Sequence, residues 1–195
     1  VADNSTAPPL RTRDRIVEHA DRLFYEGGYD HTSFATIAAE VGISRGNFHH
    51  HFKTKDDILV AVIERRRNST AAMLSAWESA AATPSDRLRC FIDLVAENCQ
   101  DIMRYGCPVG SLCSELAKHR HPHLDASGTI FEQFRMWLRE QFEQLDVAQA
   151  PDDLAMHLLA MSQGVAVLAN VYKDPDFVAR EVARMHRWLD DTIER

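Results

Sequence analysis

Apolar residues recur at three- and four-residue spacing along almost the whole chain, the period of a helix buried on one face. From Arg11 to Glu26 the stripe is Ile16, Ala20, Leu23 and Phe24, and Gly27-Gly28 stops it. Two short patterns follow. Ile37, Ala38 and Val41 share one face behind the cap candidates Thr32 and Ser33, and Gly42 then turns the chain. Ser44 is placed to cap a second short helix, Arg45 to His51, whose polar side carries Arg45, Asn47 and His50. Thr54 and Asp57 have capping-box spacing ahead of Ile58, Leu59, Val62 and Ile63. Glu64 to Arg67 reads as solvated, and the helix continues through Met73, Leu74 and Trp77.

Thr83-Pro84 starts a long one-face helix with Leu88, Phe91, Ile92, Val95, Cys99, Ile102 and Met103. Tyr105 to Pro108 breaks it, and Val109, Leu112, Cys113 and Leu116 predict a short helix. A loop, His119 to His123, precedes a helix over about 125–145 that buries Ile130, Phe131, Phe134, Trp137, Leu138, Phe142 and Leu145. Pro151 opens a helix that is apolar almost all round from Leu154 to Tyr172, which predicts burial on every side. Asp174-Pro175 caps the last helix, striped by Val178, Val182, Met185, Leu189 and Ile193. No β alternation of useful length occurs. The predicted fold is all-α, about nine helices without an internal repeat, after a loose polar tail over residues 1–10.

Composition adds limits. Hydrophobic content of 45% with 26% charge fits a soluble globular chain, and no apolar run or leader suggests a membrane span or export, so the expected location is cytoplasmic. The net charge of −7 is uneven: residues 11–67 hold ten Lys/Arg against nine Asp/Glu, and residues 68–195 hold twelve against nineteen. The acidity therefore belongs to the C-terminal part, while basic groups bracket the two short helices. Cys90, Cys99, Cys107 and Cys113, spaced nine, eight and six apart, match no zinc pattern and predict no disulfide framework. A Gly-rich phosphate loop, a nucleophile elbow and HExxH are all missing, so neither an enzyme nor a cofactor is expected.

A helix, a glycine-containing turn and a polar second helix make a helix-turn-helix over about 33–52. The wider order is more specific. A first helix ending in Gly-Gly-Tyr, then Thr-Ser, Ile-Ala-Ala-Glu-Val-Gly-Ile-Ser-Arg-Gly and Phe-Lys-Thr-Lys-Asp-Asp-Ile-Leu resembles a TetR-family transcriptional regulator across residues 11–67. The stretch from Gly106 to Leu112, with Glu115-Leu116, is similar to a segment of one subset of that family. The resemblance implies a DNA-binding domain over 11–70 and an effector-binding and dimerisation domain over 71–195. It further implies a homodimer through the last two helices, operator DNA and a small-molecule effector as partners, and usually repression.

Carried over by residue, the resemblance places Thr32, Ser33 and Thr36 at phosphates or a base edge. Ser44, Arg45, Gly46 and Asn47 would enter the major groove, and Lys55 would hold phosphate at the next helix start. Arg45 and Asn47 also have the chemistry for guanine and adenine, although the same residues would merely solvate a short surface helix. His49 stands where the family commonly has tyrosine, and His51 where it has an aromatic residue. Imidazole at His49 can still donate to phosphate, with a pH dependence tyrosine lacks, and His50 on the polar side of the helix is a further DNA-contact candidate. Arg11, Arg13 and Arg15 suit either a solvated helix start or a phosphate-contacting arm.

Effector-pocket candidates are the aromatic and soft side chains Phe91, Met103, Cys107, Leu112, Leu116, Phe131, Phe134, Trp137 and Met161 with the amide of Gln163; most must also serve as core. They suit a small apolar or aromatic effector. Ser162, Gln163 and Asn170 need polar partners. The alternative on the same scaffold is a thiol or metal sensor. Cys107 sits at a helix start, and His119, His121 and His123 alternate in a loop, although a buried thiol and a solvated loop account for them as well.

Overall fold

The computed structural model describes residues 11–194, so the tail expected over residues 1–10 lies outside the described residues. These residues are helical throughout, without a strand, in the order α1 (Thr12–Gly27), α2 (Phe34–Val41), α3 (Arg45–His51), α4 (Lys55–Ala80), α5 (Pro84–Glu97), α6 (Cys99–Tyr105), α7 (Pro108–Lys118), α8 (Leu124–Glu143), α9 (Pro151–Tyr172) and α10 (Pro175–Ile193). The predicted run from Pro84 to Arg104 is interrupted at one residue. There the Leu94 carbonyl accepts from both the backbone N–H and the side-chain amide of Asn98, at 3.1 and 2.8 Å.

Capping chemistry sets several of the other ends. The Thr83 hydroxyl accepts from Asp86 N–H at 3.1 Å, and Asp174 accepts from Asp176 N–H at 2.9 Å. At the end of α4, Arg87 donates to the carbonyls of Ala81 and Glu78, at 3.1 and 3.5 Å, and so supplies the donors that the last turn lacks. A third donor of the same guanidinium reaches Gln141 Oε1 at 3.3 Å, which is why an amide is tolerated in the buried stripe of α8.

The chain divides into two compact units at Arg65–Arg66, inside α4. In the first, Ile16, Ala20, Phe24, Ile37, Val41, Phe48, Phe52, Ile58, Leu59 and Val62 are all buried, and α1 packs on α2 and α2 on α3. In the second, α8 packs most extensively on α9, α5 on α10 and α6 on α9. Phe91 and Phe134 meet edge-on at 5.7 Å, and Trp77 meets Trp137 at 5.6 Å. Arg65 is exposed and faces Glu18 and Asp21, as a solvated stretch should. Arg66 is not: it is 92% covered, and its guanidinium donates to the Pro108 carbonyl at the start of α7.

α9 also departs from expectation. One face, Leu154, Ala155, Leu158, Leu159, Val165, Ala166 and Ala169, is buried. The other exposes Met156, Val167, Leu168, Val171 and Tyr172, with Ala160 and Gly164 on the same side. Contrary to the composition argument, α9 is long and apolar enough to cross a membrane by length and composition, although 44% of its most apolar window is buried within the chain. Its polar residues find partners inside the second unit. Ser162 donates to the Leu159 carbonyl at 2.7 Å, and Asn170 donates to the carbonyls of Ile102 and Met103 at the end of α6.

Candidate nucleic-acid interface

The turn between α2 and α3 is built from local rules. Ser33 caps α2 by accepting from Thr36 N–H at 3.1 Å, and Ser44 caps α3 by accepting from Asn47 N–H at 3.3 Å. Between them Gly42 is left-handed at φ +73°, and its N–H and that of Ile43 both return to the Ala38 carbonyl, at 3.1 Å each. Arg15 then donates to the Val41 carbonyl at 2.9 Å, fastening the end of α2 to α1, and the Arg13 guanidinium lies 5.0 Å over the Phe52 ring. Arg11, Arg13 and Arg15 are all exposed, as a solvated helix start should be, and two of them also make these contacts within the head.

α3 is anchored by Phe48, which is buried, and presents Arg45, Gly46, Asn47, His49 and His50 to solvent. Among the described residues the Arg45 guanidinium and the Asn47 side-chain amide make no hydrogen bond or ion pair, so their donors are available to a ligand. Ser33 and Thr36 are exposed at the start of α2, with their hydroxyls 2.8 Å apart. His49 stacks on Phe34 at 5.4 Å, and its carbonyl accepts from Lys53 Nζ at 2.6 Å.

Two sequence candidates sit differently from expectation. Thr32 is buried, and its hydroxyl donates to the carbonyls of Gly28 and Leu23, at 2.7 and 3.4 Å, closing the end of α1 instead of facing outward. Lys55 is half-buried. Its ammonium donates to the carbonyls of Tyr29 and Asp30, at 3.0 and 3.4 Å, and lies 4.1 Å over the Tyr29 ring. The Tyr29 hydroxyl in turn donates to Asp56. Gly-Gly-Tyr is thus the joint that positions α4, a role that spacing could not assign. The predicted capping box is present: Thr54 and Lys53 N–H donate to Asp57 Oδ2 at 2.8 and 3.0 Å, and Asp57 N–H donates to Thr54 Oγ1 at 3.0 Å. The Thr54 backbone and side-chain bonds hold the Asp57 carboxyl below its ordinary value.

A compact three-helix head with a polar, exposed second helix has one common use, docking in the major groove of DNA. Comparison with known proteins agrees. Residues 16–62 match the family "Bacterial regulatory proteins, tetR family", and residues 84–183, just over half of the chain, match "Transcriptional regulator LmrA/YxaF-like, C-terminal domain". The chain belongs to the TetR family. As a TetR-family transcriptional regulator it carries a DNA-binding helix-turn-helix and is not an enzyme. It is 27% identical over 171 residues to an uncharacterised helix-turn-helix regulator of the lacX 3′ region of Lactococcus lactis, covering 84% of this chain and 85% of that one. It is 27% identical over 173 residues to the transcriptional repressor DhaR of a Mycobacterium species, covering 83% and 84%. A TetR-family regulator from Streptomyces coelicolor shares the fold, with a TM-score of 0.83 over 94% of this chain and 96% of that one at 19% identity.

The effector candidates of this TetR-family chain all lie in the second unit. Phe91, Met103, Leu112, Leu116, Phe134 and Trp137 are buried, and Cys107, Phe131, Met161 and Gln163 are half-buried. Trp137 Nε1 donates to Glu78 at 2.8 Å. Cys107 Sγ caps α7 by accepting from Gly110 N–H at 3.4 Å, and a Cβ on Gly110 would lie 2.6 Å from Gln163 Oε1, so Cys107, Gly110 and Gln163 adjoin. His121 Nδ1 accepts from His123 N–H at 3.2 Å, and no group of three or more metal-binding side chains forms among the described residues.

Proposed function

We propose that this chain is a dimeric repressor that loses its operator when a small apolar or aromatic effector occupies the second unit. The observation that carries the reading is α4. It is one unbroken 26-residue helix that begins at the head, with Lys55 tied to the Tyr29 carbonyl, and holds Arg66 against the Pro108 carbonyl further along. A change at the start of α7 acts, in this reading, on a helix that also carries the head. In this reading Ser44, Arg45, Gly46 and Asn47 enter the major groove, Ser33, Thr36, His49 and His50 face phosphate, and Lys55 positions the helices rather than gripping DNA. The candidates from Phe91 to Gln163 line or back the effector site.

The exposed apolar stripe of α9 supports dimerisation through α9 and α10. Small residues at Ala160 and Gly164 permit close helix approach, and an uncovered apolar stripe of this length is typical of an interface. Such a dimer presents two heads to half-sites about one turn of DNA apart, about 34–36 Å. An effector lowers operator affinity only by its preference for the displaced state. Repression also agrees with the name of the Mycobacterium relative.

Selection of bound sequences from random DNA, followed by a metabolite screen for release, tests the whole reading. A selected palindromic site bound by a dimer and released by one compound class is expected. A monomer that selects no sequence overturns it.

A second reading has its own observation. Cys107 Sγ faces the first turn of α7 and accepts from the Gly110 N–H, whereas burial pushes the Cys113 thiol up. On this reading Cys107 is the sensor and an electrophile is the signal.

A further inference from the structure

α2 and α3 enclose a groove of about 280 Å³, lined by Ser33, Phe34, Ala35 and Ala38 from one helix and by Arg45, Phe48 and His49 from the other. Its floor is hydrocarbon, since Ala38 and Phe48 are buried there. The rim is exposed, with Ala35, Arg45 and His49 open to solvent and Phe34 partly so. Phe34 is held in place, edge-on to Phe48 at 5.0 Å and stacked on His49 at 5.4 Å, so the wall is formed before any ligand arrives. The Ser33 hydroxyl is already engaged with Thr36. Arg45 is the one lining side chain with several free donors, and it stands at the rim.

We propose that this groove receives the 5-methyl group of an operator thymine. The proposal rests on the reading of α3 as the helix that enters the major groove. A polar base edge pressed onto Ala35, Ala38 and Phe34 would lose its water without gaining a partner. The one apolar group that a base pair presents in the major groove is the thymine methyl. Because Arg45 shares the lining, this thymine lies within about one base step of the base that Arg45 contacts. The groove therefore adds a methyl-reading position to hydrogen-bond readout by Arg45 and Asn47, and Ala35 becomes a specificity residue that makes no hydrogen bond to a base.

The test uses the full chain and a site selected from random DNA. Each thymine of one half-site is replaced in turn by deoxyuridine, which removes the methyl and keeps every hydrogen-bonding edge. One position is expected to weaken binding about fourfold, the worth of one buried methyl-sized group. The same change should matter little to Ala35→Leu, which fills the groove. If Ala35→Leu does not fold, Ala35→Ser is compared in its place and is expected to narrow the thymine–deoxyuridine difference. Equal tolerance of deoxyuridine at every position overturns the methyl pocket and leaves the DNA-reading head intact. So does a loss that is the same in the Ala35 variants, or a selected half-site without thymine. Failure to select any sequence overturns both.

Discussion

Arg66, 92% covered, donates to the carbonyl of Pro108, so a charged side chain of α4 is fastened to the first turn of α7. A buried guanidinium needs such acceptors, because its charge is costly to strip of water. Arg66→Ala removes the charge-assisted bond and is expected to cost about 1.5–3 kcal/mol of stability, read from urea unfolding. It should also blunt release by effector while leaving operator affinity without effector within a few fold. Equal release by wild type and variant would show that the signal runs elsewhere.

Arg45→Ala and Lys55→Ala separate reading from positioning. Loss of Arg45 should cost about 1–3 kcal/mol at the selected operator and much less on random DNA, measured by fluorescence anisotropy. Loss of Lys55 removes two carbonyl contacts and a cation–π contact inside the head. It should lower the unfolding midpoint and leave the salt dependence of binding nearly unchanged. A salt slope reduced by about one would instead restore Lys55 as a phosphate contact.

Asp57 gives a pH prediction with a definite sign. Bonds from Thr54 and Lys53 depress its carboxyl below the ordinary value of 3.8. A group depressed in the folded state contributes stability that is complete above the unfolded value and is lost as pH falls through the folded one. The urea midpoint of wild type should therefore fall more steeply below about pH 4 than that of Asp57→Asn, and the two slopes should match near pH 7.

Val167→Arg or Val171→Arg puts a charge into the exposed stripe of α9. Light scattering should then report a monomer, with operator affinity falling by at least tenfold as the second head is lost. Leu158→Arg, on the buried face, should instead prevent folding.

Cys107→Ser distinguishes the two signalling readings. Release of wild type, but not of the variant, by an electrophile such as N-ethylmaleimide supports the thiol reading. Release of both by the same apolar metabolite supports the pocket.

Much of the head was legible because its determinants are local. Ser33, Gly42, Ser44 and the Thr54–Asp57 box act within four residues of themselves, and each performs the predicted role. The internal partners of Thr32 and Lys55 (Leu23, Gly28, Tyr29 and Asp30) lie up to 26 residues away and are not legible in the sequence. Spacing carries no information about which carbonyl a lysine will reach. Arg66 is the same case at longer range: among Arg65, Arg66 and Arg67 the sequence shows three equal cations, and only packing buries the middle one.

By itself the sequence determined the all-α class, most helix starts and stops but not the break at Asn98, and the head in which α3 faces outward. Hydrophobic period, caps and left-handed glycines are encoded within one or two turns of helix. Tertiary structure alone decided which apolar faces are covered. α9 carries nonpolar residues all round, yet Leu158 is buried and Val167 is exposed. Burial depends on which neighbours a face meets, and composition along one helix is silent about neighbours. The groove between Phe34, Ala35 and Arg45 is decided in the same way, by two helices that the turn at Gly42 brings side by side.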